Sequence, residues 1–184
     1  MKTIFAAFRL FVVLTLLTGL AYPLAVWAIG RAFFRDAAEG SLVHRDGQLV
    51  GAALLAQKTT DPRYFWPRPS AGDYATVASG ASNQAWTSAA LAKSIADRRA
   101  AYAPQADVPA ELLTASGSGL DPDLSADAAR FQIDRIATAR HLTPAQRNTL
   151  VELVAQHTEG GQLSPARINV LRLNLALNRT FAAL

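Results

Sequence analysis

The chain contains no cysteine and only three histidines in 184 residues. The lack of cysteine excludes disulfides and thiolate metal sites as means of holding the fold together. His44, His141 and His157 do not cluster in sequence, and neither an HExxH motif nor a nucleophile elbow occurs. The sequence therefore offers no catalytic constellation and no metal site, and it predicts a protein that is not itself an enzyme.

Charge is missing from one long stretch near the amino terminus. Leu10 to Gly30 holds twenty-one residues without a charged side chain. As a helix rising about 1.5 Å per residue, this stretch would be about 31 Å long, enough for the hydrocarbon core of a bilayer. We therefore predict a short basic tail over residues 1–9, a transmembrane anchor over 10–33 and one soluble domain over 34–184.

A cleavable signal peptide is the alternative interpretation of this stretch. Lys2 and Arg9 form a basic n-region, and Val26–Ala28 ends in the small residue that precedes a cleavage point. The apolar run is longer than the roughly 7–15 residues of a signal core, which favours the uncleaved anchor. The basic tail also favours a cytoplasmic amino terminus, with the soluble domain outside the cytoplasm.

Within the anchor, Thr15 and Gly19 lie four residues apart on one face. Small residues at that spacing let a partner helix approach closely, whereas the alternative is that they face lipid. Pro23 is expected to kink the helix unless a neighbour satisfies the freed carbonyl. Tyr22 and Trp27 suit the membrane interface near the far end.

The remaining chain predicts an α+β fold, a mainly helical domain with a small β element. Asp46-Gly47 between two apolar runs indicates a hairpin, which we expect to continue through Leu55. Helices are predicted over Ser88–Ala103, from a Ser125 cap to Arg140, from a Thr143 capping box to Gly160, and over Ile168–Leu177, where alternating leucines also fit a strand. Val108–Thr114 is ambiguous. The basic residues are scattered without interleaved aromatics, so nucleic-acid binding is not predicted.

Two irregular segments stand out. Asp61–Pro69 (DPRYFWPRP) has three prolines in nine residues, which excludes regular structure. Its aromatic residues either pack the segment onto the core or form a partner-facing patch, and they are Tyr64, Phe65 and Trp66.

The second segment is Thr114–Pro122 (TASGSGLDP), whose glycines and hydroxyls have the composition of an anion-binding loop. It contains no Walker motif, and the alternative is a structural turn in which Gly117 and Gly119 both adopt positive φ. In that case alanine at either glycine is expected to destabilise the domain, while alanine at Ser116 or Ser118 is not.

Together these stretches resemble the KdpC family, the C subunit of the bacterial potassium-transporting Kdp ATPase. The matching pieces run in family order along the chain: Thr15–Pro23, Asp61–Ala71, Ala78–Asn83, Thr114–Pro122, His157–Gly160 and Ile168–Leu177. The resemblance implies a single-span inner-membrane subunit that binds three partners. These are a channel-like potassium-binding subunit, a P-type ATP-hydrolysing subunit and a very small single-span membrane peptide.

The resemblance also implies a site. Members of the family are described as catalytic chaperones that raise the ATP affinity of the hydrolysing subunit, and their SGSG stretch has been likened to an ABC-type signature. That carries over here to Ser116, Gly117, Ser118, Gly119 and Leu120, with no cofactor of the chain's own and ATP met through the hydrolysing partner. However, ATP is cytoplasmic, and the domain is expected outside.

Two alternatives therefore stay open, a cap over the potassium entrance without nucleotide contact and a stand-alone anchored envelope protein. The chain also departs from the family pattern, since residues 161–167 are shorter than usual and Asp123 stands where many members have histidine.

Overall fold

The computed structural model describes residues 2–105 and 107–181, which divide between Val50 and Gly51 into two compact units. The first unit carries α1 (Lys2–Leu16), a π-helical turn (Leu17–Ala21), α2 (Tyr22–Phe33), α3 (Arg35–Ala38), β1 (Leu42–Arg45) and most of β2 (Gln48–Ala52). The second carries a 3-10 turn (Thr76–Ala78), α4 (Ala89–Ala100), α5 (Ala110–Leu113), β3 (Asp123–Leu124), α6 (Ala126–Phe131), α7 (Ile133–Ala139), α8 (Pro144–Gln156), β4 (Ile168–Asn169) and α9 (Val170–Thr180). The predicted α+β class with one amino-terminal span is confirmed, while a soluble domain starting at residue 34 stays a prediction.

The apolar stretch forms one helix, Lys2–Phe33, that is long and apolar enough to cross a membrane. It begins at Lys2, so the residues of the predicted tail continue the helix. Pro23 follows a π-helical turn in which the Tyr22 N–H donates to the Leu17 carbonyl, five residues back. Because proline has no N–H and its ring crowds the preceding turn, a π turn at this place is one way to keep the helix continuous.

The hairpin prediction is confirmed, with a correction at its end. β1 and β2 pair around Asp46 (φ 52°) and Gly47 (φ 77°), the two successive positive values of a type I′ turn. The strand ends at Ala52, and the predicted continuation through Leu55 is wrong. Directly after the strand, the Ala53 carbonyl accepts a hydrogen bond from Asn169 Nδ2 (2.7 Å) instead of from the hairpin.

Three helix caps in the second unit follow local rules. Ser88, Ser125 and Thr143 each accept a backbone N–H of the first turn of α4, α6 and α8, and Thr143 also completes its capping box. The predicted helix from Ser125 to Arg140 is instead two helices that meet at Gln132. The physical reason is that the Gln132 side chain is fully buried and bonded to another segment, as described below.

The last predicted helix is confirmed, as α9. Leu173 and Leu177 are fully buried, whereas Leu171 and Leu175 are half-buried. Before this helix, β4 pairs antiparallel with β3, and Leu124 lies opposite Ile168. The helix α8 ends at Gln156, four residues before the glycines predicted to stop it, and His157 caps it with Nδ1 2.9 Å from the Leu153 carbonyl oxygen.

One apolar core holds the second unit together. Its fully buried members include Phe65 and residues from every helix after α4 and from both short strands: Leu112, Leu124, Ala128, Ile136, Leu150, Ile168, Leu173 and Leu177. Phe65 belongs to none of these elements. The core therefore includes a side chain from the irregular segment that the three prolines define.

Candidate functional site

We call Asp61–Pro69 the proline segment. It has no helix or strand, as predicted. Phe65 is fully buried in the core, and Tyr64 and Trp66 are half-buried against it. For Phe65 this supports the packing interpretation. Contact of Tyr64 or Trp66 with a partner protein stays a prediction.

Two side-chain amides act as partners for the backbone of the proline segment. The Trp66 N–H donates to Gln132 Oε1 (2.8 Å), and Gln132 Nε2 donates back to the Trp66 carbonyl (3.0 Å). In the same way, the Phe65 N–H donates to Asn174 Oδ1 (2.8 Å), and Asn174 Nδ2 donates to the Phe65 carbonyl (2.9 Å). Each amide thus replaces a neighbouring strand, so the buried backbone of an irregular segment is satisfied.

Two arginines cover the same segment from outside. Arg135 places its guanidinium carbon 3.8 Å from the centroid of the Trp66 ring and donates to the Tyr64 carbonyl (3.0 Å). Burial lowers the pKa of Arg135 to about 10. Arg140 lies over Tyr64 at 4.9 Å and donates to the Arg63 carbonyl (2.7 Å).

The sequence interpretation missed these four polar residues. For the two amides, the sequence does carry a signal: Gln132 lies between two apolar residues, and Asn174 lies on a helix beside residues that face the core. A buried amide at such a position needs partners, and an irregular segment without a sheet supplies them. At one end of the segment, the Arg63 side chain donates to Asp61 and lowers the pKa of that carboxyl.

The second segment, Thr114–Pro122, is here called the serine–glycine loop. Within it, the Gly119 N–H donates to the Ser116 carbonyl (3.2 Å), and the Leu120 N–H donates to Ser118 Oγ (3.1 Å). The Ser116 N–H donates outside the loop, to the Pro69 carbonyl (3.0 Å). Three of the five amides proposed for a ligand are therefore already bonded within the chain.

The loop is fastened to residues 69–80. The Ser118 carbonyl accepts from the Gly80 N–H (2.8 Å) and from Ser79 Oγ (3.0 Å). An ion pair between Arg68 and Asp121 (3.0 Å) joins the exit of the loop to the end of the proline segment. The two irregular segments and residues 69–80 thus form one connected structure.

The two glycines of the loop differ. Gly119 has φ of 68°, and an added Cβ would lie 3.0 Å from Ser70 Oγ and 3.1 Å from the Gly80 carbonyl oxygen. Gly117 lies outside the left-handed region, and an added Cβ would meet nothing within 4 Å. The expectation of positive φ at both glycines is therefore wrong for Gly117. Ser116 is 1% exposed, and its hydroxyl has no hydrogen-bond partner among the described residues.

The candidate packing face of the apolar helix is open. An added Cβ on Gly19 would have Thr15 Cγ2, 4.0 Å away, as its nearest neighbour, so the two residues do share a face. No residue of Lys2–Phe33 is buried within the chain. Within residues 2–105 and 107–181, no group of three or more His, Cys, Asp or Glu side chains could hold a metal ion.

The family model described as K+-transporting ATPase, c chain, matches residues 4–179 of this sequence. The chain belongs to the KdpC family. The Potassium-transporting ATPase KdpC subunit of Sorangium cellulosum is 49% identical, over 94% of this chain and 95% of that protein. The subunit of the same name from Dechloromonas aromatica is 45% identical over 97% and 98%, and that of Mycobacterium tuberculosis 42% over 97% and 98%.

Residues 161–167, which are expected to be shorter than in other family members, form a closed turn. Glu159 and Arg167 exchange two backbone hydrogen bonds of 2.9 Å, and the Gly161 N–H donates to the Ser164 carbonyl (2.8 Å). Gly160 has φ of 83°, and an added Cβ there would lie 2.8 Å from the Pro165 carbonyl oxygen. Residues 161–167 are therefore a tight connection between α8 and β4, which glycine makes sterically accessible.

Proposed function

We propose that this chain is the accessory, non-catalytic subunit of an ATP-driven potassium uptake complex. The observation that carries the proposal is membership of the KdpC family over nearly the whole length, with relatives named as subunits of a potassium-transporting ATPase. Its partners are a P-type ATP-hydrolysing subunit, a channel-like potassium-binding subunit and a small single-span membrane peptide. The subunit crosses the inner membrane once, with its amino terminus in the cytoplasm and its soluble domain outside.

The apolar helix contributes to assembly through the face of Thr15 and Gly19. Close approach of a second helix needs small residues, and among the described residues only Thr15 Cγ2, at 4.0 Å, lies near a Cβ added to Gly19. Gly19→Leu is expected to lower recovery of the assembled complex. Ala21→Leu adds similar bulk on the opposite side of the helix and serves as the matched control. Equal co-purification of the two variants would show that the Gly19 face meets lipid.

The orientation can be tested separately. A reporter fused after Leu184 is expected to be active only when it folds outside the cytoplasm, because one span with a basic cytoplasmic tail leaves the carboxyl terminus outside. Activity of a reporter that works only in the cytoplasm, fused at the same position, would place the domain where ATP is and would favour direct contact with ATP. The same result would contradict the proposal that the domain caps the potassium entrance.

The soluble domain caps the potassium entrance, and the serine–glycine loop does not hold nucleotide. The internal bonds of Ser116, Gly119 and Leu120 support this account, since these amides are not free to converge on an anion. Ser116→Ala and Ser118→Ala are expected to leave the apparent ATP affinity of the assembled complex unchanged. A loss of ATP affinity in variants that assemble fully and stay stable would favour the catalytic-chaperone account, in which this loop meets ATP.

A further inference from the structure

The second unit contains a cleft beside the proline segment that the proposed function does not use. Its volume is about 260 Å³. Half of its lining residues are aromatic or proline rings, and its polar groups include one guanidinium and two threonines; the aromatic residues are Trp66, Tyr74 and Tyr102, and the guanidinium is that of Arg98. Flat apolar walls with few polar groups are typical of sites for small planar ligands.

Two polar groups in this cleft are not fully used by the chain. Arg98 donates one hydrogen bond, from Nη1 to the Leu113 carbonyl (2.7 Å), and forms no ion pair with any described carboxylate. Tyr102 is 6% exposed, yet its hydroxyl has no hydrogen-bond partner in the described part of the chain. The buried side-chain atoms without a partner among the described residues are Arg68 Nε, Ser116 Oγ and Arg135 Nε, so the Tyr102 hydroxyl is open to solvent through the cleft and is available to a ligand there.

Two other polar groups of the cleft wall are satisfied by the chain. The Tyr74 hydroxyl donates to the Arg68 carbonyl (3.0 Å), and Trp66 Nε1 donates to the Asp61 carbonyl (2.9 Å). Asp73, the acidic residue next to Tyr74, is paired with Lys58 at 2.8 Å. Burial raises the pKa of Tyr102 to about 12, so its hydroxyl stays protonated as a donor at neutral pH. The cleft thus offers a cation and a donor, both suited to an anion.

We propose that this cleft binds a small aromatic carboxylate, with the ring against Trp66 and the carboxylate on Arg98 and the Tyr102 hydroxyl. A cavity of about 150 Å³ suffices for benzene, so this volume accommodates one ring and a short acidic arm. An arginine pairs with a carboxylate through charge-assisted hydrogen bonds, which a neutral amide cannot replace.

The test uses phenylacetate as the probe and the full-length chain in detergent. Binding is measured by titration of the tryptophan indole N–H signals in NMR spectra. A ligand of this size is expected to bind with a dissociation constant of about 1 mM. Phenylacetamide, which has the ring without the charge, and acetate, which has the charge without the ring, are each expected to bind at least about tenfold more weakly.

Variants distinguish binding in the cleft from non-specific attraction to positive charge and from partitioning of the probe into detergent. Arg98→Gln is expected to weaken phenylacetate binding about tenfold, whereas Arg99→Gln, the exposed neighbour, leaves it unchanged. Tyr102→Phe keeps the ring in the core and is expected to weaken binding about threefold to tenfold, which keeps the test valid if Arg98→Gln unfolds. The proposal is overturned by absence of saturable binding, by equal affinity for phenylacetamide, or by equal effects of the two arginine changes.

Discussion

The proline segment and the serine–glycine loop are both irregular, and they are stabilised in opposite ways. The proline segment is fixed by side chains from distant parts of the chain, with Gln132 bonded to Trp66 across 66 positions and Asn174 bonded to Phe65 across 109. The serine–glycine loop is fixed mainly by backbone bonds, within itself and to residues 69–80. The proline segment buries Phe65 in the core, and the serine–glycine loop exposes Gly117 and Ser118 at the surface.

The difference follows from what each segment buries. Phe65 carries a large apolar side chain into the core, so its backbone loses water and needs replacement partners. In the absence of a neighbouring strand, glutamine and asparagine side chains supply a donor and an acceptor together. The serine–glycine loop buries no large aromatic side chain, and backbone bonds within it and to Pro69 and Gly80 satisfy its main chain.

The largest effect is expected from breaking the side-chain support of the proline segment. Gln132→Leu keeps the buried volume but leaves the Trp66 N–H and carbonyl without partners. We expect a loss of about 3 kcal/mol in unfolding free energy, because each buried unsatisfied group costs about 1–3 kcal/mol. Thermal unfolding of the full-length chain in detergent, followed by circular dichroism, measures it.

Gln156→Leu is the matched control, since Gln156 is exposed at the end of α8. Its effect is expected to stay within about 0.5 kcal/mol, as for other surface substitutions. A similar stability for the two leucine variants would mean that water or another group replaces the Gln132 amide. The proline segment would then not depend on distant side chains more than the serine–glycine loop does.

Sequence reasoning succeeded for features that neighbouring residues decide, and it failed for features that depend on distant parts of the chain. The caps at Ser125 and Thr143, the Asp46-Gly47 turn and the irregularity of the three-proline stretch are each decided within a few residues. The break at Gln132 depends on a segment 66 residues away, which no periodicity records. The positive φ at Gly119 but not at Gly117 depends on contacts with residues 70–80, which composition does not reveal.

A smaller effect is expected at the glycines, where the backbone supports the loop. Gly119→Ala places a Cβ at φ 68°, against Ser70 Oγ and the Gly80 carbonyl, and is expected to destabilise by about 1–2 kcal/mol. Gly117→Ala meets open space and is expected to change stability by less than about 0.5 kcal/mol. The same unfolding measurement compares them, and equal losses would restore the expectation that both glycines need positive φ.

The smallest effect is expected at the two serines, and it sharpens what holds the loop. Ser118 Oγ accepts from the Leu120 N–H, so the sequence-based expectation of no effect is replaced: Ser118→Ala is expected to destabilise by about 0.5–1 kcal/mol, the net value of one hydrogen bond. The buried Ser116 hydroxyl has no partner among the described residues, so Ser116→Ala is expected to leave stability unchanged or to raise it by about 0.5 kcal/mol. Unfolding of both variants in parallel decides between them. A larger loss for Ser116→Ala than for Ser118→Ala would mean that the Ser116 hydroxyl is bonded in solution, and that this loop, like the proline segment, depends on a buried side chain.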